Sequence, residues 1–575
     1  MAAVEPKLGL ALSGGGHRAA FFHIGVFAKL AELGLLRRVE VISTVSGGSI
    51  VGALYYLHVK NLLEDKSDEA IADADYIELV RQVEREYREG AATNIRGSAW
   101  ANPVANFHMA KPTYSRTDRA GELYERRFYA RAWRNRPKRG GRIAMRDLLI
   151  SPKGHDGAFD PDTDNATRRA RVPILLLEAT TLNTGHNWRF EAMYVGEPPR
   201  QHGSDGTVRA DIDKNTILER TRWDDLPEAC QDFPLGAAVV SSACFPGGFP
   251  PMQIPGIFNG DLLVKLVDGG VHDNQGLEGL RDRGCTHLII SDGSGQMPDR
   301  VRPSTRTPAV LGRIVSIYGD AEREERLLAA LGHPDSTAFM HLQSGLPAPT
   351  RKAGGQATTT LAAPPLESGE FGVQEEVQRA LANIRTDLDA FCDLEAWALM
   401  ADGYQLADRI VPRRSEIAAL GQPVREVGWA FSAASGKLAQ NPPDPHFLKV
   451  LQVGKERFLR PARMVRHGYA ATNILMALLA AAAAAGLWLL LTPHGTALFI
   501  AGLGCLAGLV VYFASDKAYV KPVAVVVFDI LVPTLLAIPL LAVAALQLAA
   551  GRRWRRIGGA DQSQSVPSRA IMAQP

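Results

Sequence analysis

Near the N-terminus the apolar positions change period twice. Lys7–Leu12 is a short continuous apolar run, which predicts a buried strand, and it stops at Ser13-Gly14-Gly15-Gly16. From about Arg18 to Leu33, the residues Phe22, Val26, Leu30 and Leu33 recur at helical spacing. Val39–Val45 is a β-branched run ending at Ser46-Gly47-Gly48, and an apolar helical stretch follows to about Leu57. Strand, helix, strand, helix in so short a span predicts an α/β fold, three-layer α/β/α with a mainly parallel central sheet. Val172–Ala179 and His287–Ser291 are further buried-strand candidates, and Val373–Ala407 returns to helical periodicity. The stretch between Lys60 and Arg171 is mixed in pattern. Pro347–Pro365, rich in Ala, Gly, Thr and Pro, reads as a linker or flexible loop.

The pattern changes again toward the C-terminus. Tyr469–Leu491 has no charged residue and is long enough to cross a hydrocarbon core of about 30 Å. Gly495–Phe513 is a second such run, and Val523–Ala550 a third, interrupted by Asp529, Pro533 and Pro539. These runs predict C-terminal transmembrane helices and an integral membrane protein. Lys455, Arg457, Arg460, Arg463 and Arg466 precede the first run, which puts the large N-terminal part on the cytoplasmic side. Arg552, Arg553, Arg555 and Arg556 follow the third, so that segment is either a full crossing against the charge rule or a re-entrant one. Glu5 and Pro6 exclude a signal peptide at the start. The expected location is an inner or plasma membrane if the chain is bacterial. The expected divisions are an α/β hydrolase domain over 1–345, a linker over 346–370, a packed helical segment over 371–435, a basic juxtamembrane linker over 436–468, the membrane region 469–550 (469–491, 495–513, 523–550) and a polar tail over 551–575.

Charge and cysteine usage narrow the chemistry. A formal charge of +3 over 575 residues provides no global basic field, which argues against nucleic acid as a partner. The five cysteines are scattered without paired spacing, so neither a metal site nor a disulfide framework is predicted. One local basic block stands out: Arg126, Arg127, Arg131, Arg134, Arg136, Lys138, Arg139 and Arg142 interleave with Phe128, Tyr129 and Trp133. It reads either as a contact for anionic headgroups or as a solvated face.

Ester hydrolysis by a serine needs an exposed nucleophile, a base and donors aimed at the oxyanion. Ser46 stands where a strand stops and a helix begins, and Gly47 and Gly48 give the turn room. Gly14, Gly15 and Gly16 end the preceding strand, and in a parallel sheet both loops leave at the same edge. Arg18 adds a charge that could hold this loop or an anionic headgroup. The same glycines fit a dinucleotide fingerprint, but that motif wants an acidic residue ending the second strand, where Val45-Ser46-Gly47 stands instead. Asp268, followed by Gly269 and Gly270, is the third piece; alone it would read as a turn residue.

In this order the three pieces resemble the patatin-like phospholipase family. The likeness lies in Gly14-Gly15-Gly16-His17-Arg18, in Ser46-Gly47-Gly48 and in Asp268-Gly269-Gly270, with support from Ala179–Gly185 and Ser241–Pro246. It spans roughly residues 7–295 and departs from the family pattern at Thr44, where the elbow's first glycine is expected. The resemblance implies a lipid acyl hydrolase working through an acyl-serine, with a Ser46–Asp268 dyad, an oxyanion loop of Gly14, Gly15 and Gly16, a membrane lipid substrate, and no metal or cofactor. For His17, His23 and His272 a structural role is expected. Two alternatives stay open: a Ser–Asp–His triad using His272, His287 or His333, and a non-catalytic, membrane-bound lipid- or partner-binding module. Oligomeric state is not legible.

Overall fold

The computed structural model describes residues 5–100, 114–134, 136–199, 213–246, 248–348, 350–351, 357–358, 371–424, 427–456, 460–464 and Trp554. Strand β1 (Leu8–Leu12) leads into helix α1 (Gly16–Glu32), then β2 (Val39–Val45), α2 (Gly47–Asp65) and α3 (Asp73–Ala91). Further along the chain come β3 (Ile174–Thr181), β4 (Asn187–Phe190), β5 (Tyr194–Gly196) and β6 (Thr221–Arg222). Helix α4 (Leu235–Ala243), β7 (Met252–Ile254), β8 (Val264–Asp268), α5 (Leu277–Asp282) and β9 (His287–Asp292) follow. The chain continues through α6 (Thr307–Leu331), β10 (Thr337–His341), α7 (Glu375–Ala382) and α8 (Asp393–Ile410).

The sheet is mixed, which corrects the expectation of a mainly parallel one. Strands β10, β9, β1, β2 and β3 are parallel neighbours in that order. Beyond β3 every pairing is antiparallel, through β4, β5 and β6 on one side and β8 and β7 on the other. The reason is connection length: only a few residues join β3 to β4, which suffices for a hairpin and not for a parallel crossover. β1 is buried along its whole length, as a strand covered on both faces must be. α1 is buried on nearly all sides because α8 covers the face turned away from the sheet. The two helices meet so closely that a Cβ at Gly25 would overlap the Met400 carbonyl.

The expectation of C-terminal transmembrane helices, and with it that of an integral membrane protein, does not stand. Among the described residues no helix is long and apolar enough to cross a membrane. The stretches 469–491, 495–513 and 523–550 lie outside the described residues. An apolar run of sufficient length is necessary for a span without being sufficient for one. Trp554, in the tail expected to be polar, is buried, and its Nε1 donates to Glu395 Oε2 at 2.7 Å.

Candidate active site

The site begins where β2 ends. Ser46 takes φ 50° and ψ −113°, a conformation that side chains rarely adopt and that costs on the order of 1–3 kcal/mol. Surrounding bonds hold it there. The Ser46 N–H donates to Ser242 Oγ at 3.0 Å, and its carbonyl accepts from the N–H groups of Ser49 and Ile50 at 3.0 and 3.2 Å. Ser46 is half-buried while the residues on either side of it are buried, so the turn lifts this one side chain toward solvent. A Cβ at Gly47 would overlap the Gly16 backbone and one at Gly48 the Leu12 carbonyl, so both glycines are needed for the elbow to sit against the first loop.

Asp268 arrives from the opposite direction. β3 pairs with β2 through Ile174–Glu178 and with β8 through Ala179–Thr181. β4 occupies the other side of β3 over Leu177–Thr180, so β2 and β8 share one flank and meet end to end. Val45 lies opposite Glu178 and Asp268 opposite Ala179, which puts the residue after Val45 beside the aspartate. Asp268 is 3% exposed and its Oδ1 accepts from the Gly270 N–H at 2.8 Å. Burial pushes its carboxyl up to about 6, partly offset by the Gly270 N–H and by a hydrogen bond from the Ser46 side chain. Gly269 lies so near Glu178 that a Cβ would overlap that carbonyl.

The glycine loop closes the third side. Gly14, expected among the oxyanion donors, gives its N–H to the Asn274 carbonyl at 3.0 Å. Gly15 has φ 137°, which glycine alone adopts readily, and it turns the chain into α1. Arg18 is buried and works as an internal staple: its Nε donates to the Gly293 carbonyl at 3.2 Å, and its Nη1 to the carbonyls of Ala382 and Ile384 at 3.2 and 2.7 Å. These contacts join α1 to the loop after β9 and to the end of α7.

Residues 10–281 match the family model of the patatin-like phospholipases. Among solved structures the chain is similar to human GIVD cytosolic phospholipase A2, at 12% identity over 72% of this chain and 59% of that one, with a TM-score of 0.34. It is also similar to VipD from Legionella pneumophila, at 14% identity over 97% and 90% of the two chains, with a TM-score of 0.26. The chain thus spans 59% of the length of the human protein. No curated protein matches it.

Within the matched segment Thr44 has a clear place. Its hydroxyl donates to the Leu176 carbonyl at 2.8 Å and lies 2.9 Å from Ser49 Oγ, which lies 2.8 Å from Ser242 Oγ. Ser242 in turn receives the Ser46 N–H. The Thr44 methyl fills the space left by Gly52, where a Cβ would come within 2.6 Å of it. A threonine at this position is therefore absorbed on the inner side of the turn. The Thr44–Ser49–Ser242 chain was not legible beforehand; spacing showed Ser242 within a family stretch, but not that its hydroxyl reaches the elbow.

The histidines are engaged elsewhere. His17 Nδ1 lies 2.8 Å from the Tyr87 hydroxyl, and burial lowers the ring to about 3. His23 bridges Ser291 Oγ at 2.6 Å and the Ser13 carbonyl at 3.0 Å, and burial lowers it to about 4. His272 Nε2 pairs with Glu278 Oε2 at 2.8 Å. His287 stands at the start of β9, the opposite end of the sheet from the elbow, and bonds Thr286 Oγ1 at 2.9 Å. Among the described residues no cluster of side chains could hold a metal ion.

Proposed function

We propose that the protein hydrolyses carboxylic esters of membrane lipids through an acyl-serine, with Ser46 as nucleophile and Asp268 as its base. The observation that carries this reading is the end-to-end meeting of β2 and β8, which sets a strained serine beside a buried aspartate of raised pKa. A base near neutrality is the useful kind: ionised at pH 7 yet basic enough to take a proton. Asp268 takes the Ser46 proton as Oγ attacks the ester carbonyl carbon. The N–H groups of Gly15 and Gly16 receive the negative charge of the tetrahedral intermediate, helped by the N-terminus of α2. Collapse breaks the ester C–O bond, and the departing alkoxide takes the proton from Asp268. Water then repeats the sequence on the acyl-serine, releasing the fatty acid and returning the proton to Ser46. A triad is the weaker reading, because each nearby histidine has another partner.

The test is active-site labelling of the full-length chain with a fluorophosphonate, alongside turnover of a short-chain monomeric ester. Wild type should label and turn over, Ser46→Ala should do neither, and Asp268→Asn should be slowed by about 10³-fold or more. A folded wild type that neither labels nor turns over sinks the proposal. Loss of labelling on replacing His272 alone would favour the triad.

A further inference from the structure

The loop after β9 leaves the sheet at the same edge as Ser46 and delivers α6. The C-terminal half of that helix is pinned by ion pairs to the segments that follow β8 and end β9. Arg323 Nη1 lies 3.4 Å from Asp292 Oδ2, and Arg326 Nη1 lies 3.1 Å from Asp273 Oδ2 and 2.9 Å from Glu278 Oε2. Asp273 sits on the turn following Asp268, Glu278 in the first turn of α5 and Asp292 at the end of β9, and Leu327 is buried against the sheet.

The N-terminal half behaves in the opposite way. Leu311, Ile314, Val315 and Tyr318 fall at helical spacing on one stripe and are 57, 40, 70 and 73% exposed. Val301, in the preceding loop, is 79% exposed. That loop is folded back along the helix: the Met297 N–H donates to Asp320 Oδ2 at 3.2 Å, and Arg313 Nη1 to the Pro298 carbonyl at 2.8 Å. It therefore holds the exposed Arg300, Arg302 and Arg306 beside the stripe, with Asp299 the single acid between Gly293 and Gly319. Two more exposed apolar side chains flank the dyad. Phe245 follows Cys244, whose carbonyl accepts the Asp268 N–H, and Val271 comes shortly after Gly270.

We propose that this surface, the N-terminal half of α6 with its arginine loop, docks peripherally on a phospholipid bilayer bearing anionic headgroups and brings the dyad edge onto it. The proposal rests on the reading of the site as a lipid-ester hydrolase. The chemistry points to that one occupant. A projecting apolar ridge suits the boundary between headgroups and acyl chains, where tyrosine is at home, and the arginines meet phosphate or carboxylate groups at the level above. A second copy of the chain would set the same arginines against each other.

The experiment is hydrogen exchange on the full-length protein, with and without vesicles of diether phosphatidylcholine and diether phosphatidylglycerol, lipids without a carboxylic ester to hydrolyse. Amides of 301–319 should exchange about tenfold more slowly with the mixed vesicles than without, and less so with phosphatidylcholine alone. The combined variant Leu311→Ser, Val315→Ser and Tyr318→Ser should lose that protection while keeping wild-type turnover of a monomeric ester. Unchanged exchange of 301–319 on adding vesicles overturns the proposal. So does protection without vesicles that grows with protein concentration, which would assign the stripe to a second copy. The readout needs no turnover, so a protein that docks but does not hydrolyse would keep the docking surface and refute the hydrolase.

Discussion

Residues 126–142 and 300–318 carry the same ingredients, arginines interleaved with aromatic or branched apolar side chains, and the fold treats them in opposite ways. In the first, Phe128, Tyr129 and Trp133 are buried at 1, 0 and 3% exposure. Five of its seven arginines point back to acids of the same domain: Arg134 to Asp65 at 2.7 Å, Arg136 to Glu64 at 2.8 Å, Arg139 to Asp147 at 3.1 Å and Arg142 to Glu122 at 3.3 Å, with Arg131 paired to Glu89. In the second, the apolar side chains are exposed and no acid of the domain is set against Arg300, Arg302 and Arg306 among the described residues. The first block thus buries its apolar side chains and ties five arginines to acids of the domain, with Arg126, Arg127 and Lys138 exposed. Residues 300–318 carry exposed charge and exposed apolar area together. Composition names the groups, and only their partners decide whether they face inward or outward.

The sharpest way to break this comparison is by stability. Phe128→Ala should cost about 3–5 kcal/mol in chemical denaturation, since it removes a ring packed on Tyr87 and Tyr124. Leu311→Ser or Val315→Ser should stay within about 0.5 kcal/mol, as surface changes do. Equal losses in both regions would erase the distinction.

Asp268 extends the comparison to a single buried charge. Its pKa in the fold, about 6, lies above the ordinary carboxylate value, so the stability it contributes is full at low pH and is lost as pH rises to about 6. Asp268→Asn should therefore be more stable than wild type at pH 8, by on the order of 1–3 kcal/mol, and equal to it near pH 3. In turnover the sign is reversed, because the base must be ionised: kcat/KM of wild type should climb with pH through about 6 and level above it. A profile flat between pH 5 and about 8 would remove Asp268 from the role of base.

Charge changes should be smaller and should separate the two regions by readout. Arg300→Gln, Arg302→Gln and Arg306→Gln should each weaken binding to anionic vesicles by about 1 kcal/mol, fading as salt is raised, with no change in melting. Arg134→Gln and Arg139→Gln should leave vesicle binding unaltered and cost at most about 1 kcal/mol of stability, because these pairs are half-exposed. A vesicle effect at Arg134 would return the first block to the lipid-contact reading.

Much of the fold was legible because it is written in local periodicity. The β1–α1–β2–α2 order, the strand ending at Val45 and the helical character of Val373–Ala407 follow from apolar spacing and glycine positions. Where the pattern misled, the missing information was non-local. The sheet turned out mixed because β3 hairpins into β4, and a buried strand reads the same whichever way its neighbour runs. The membrane spans rested on apolar length alone, with no test of what those residues pack against. Arg18 showed a charge near a glycine loop; only the carbonyls of Gly293, Ala382 and Ile384 show that it is a staple.

By itself the sequence determined the places where the backbone must do something unusual: the turn at Gly15, the elbow at Ser46 and the glycines after Asp268. Such positions are set by the steric limits of one or two residues, which is why a linear string carries them. The tertiary structure decided which of these places meet. β8 runs against β3 and ends facing β2, so Asp268 rather than a histidine stands beside Ser46. It also decided which side chains are left without a partner in the domain, because burial and charge pairing depend on contacts between segments far apart in the chain.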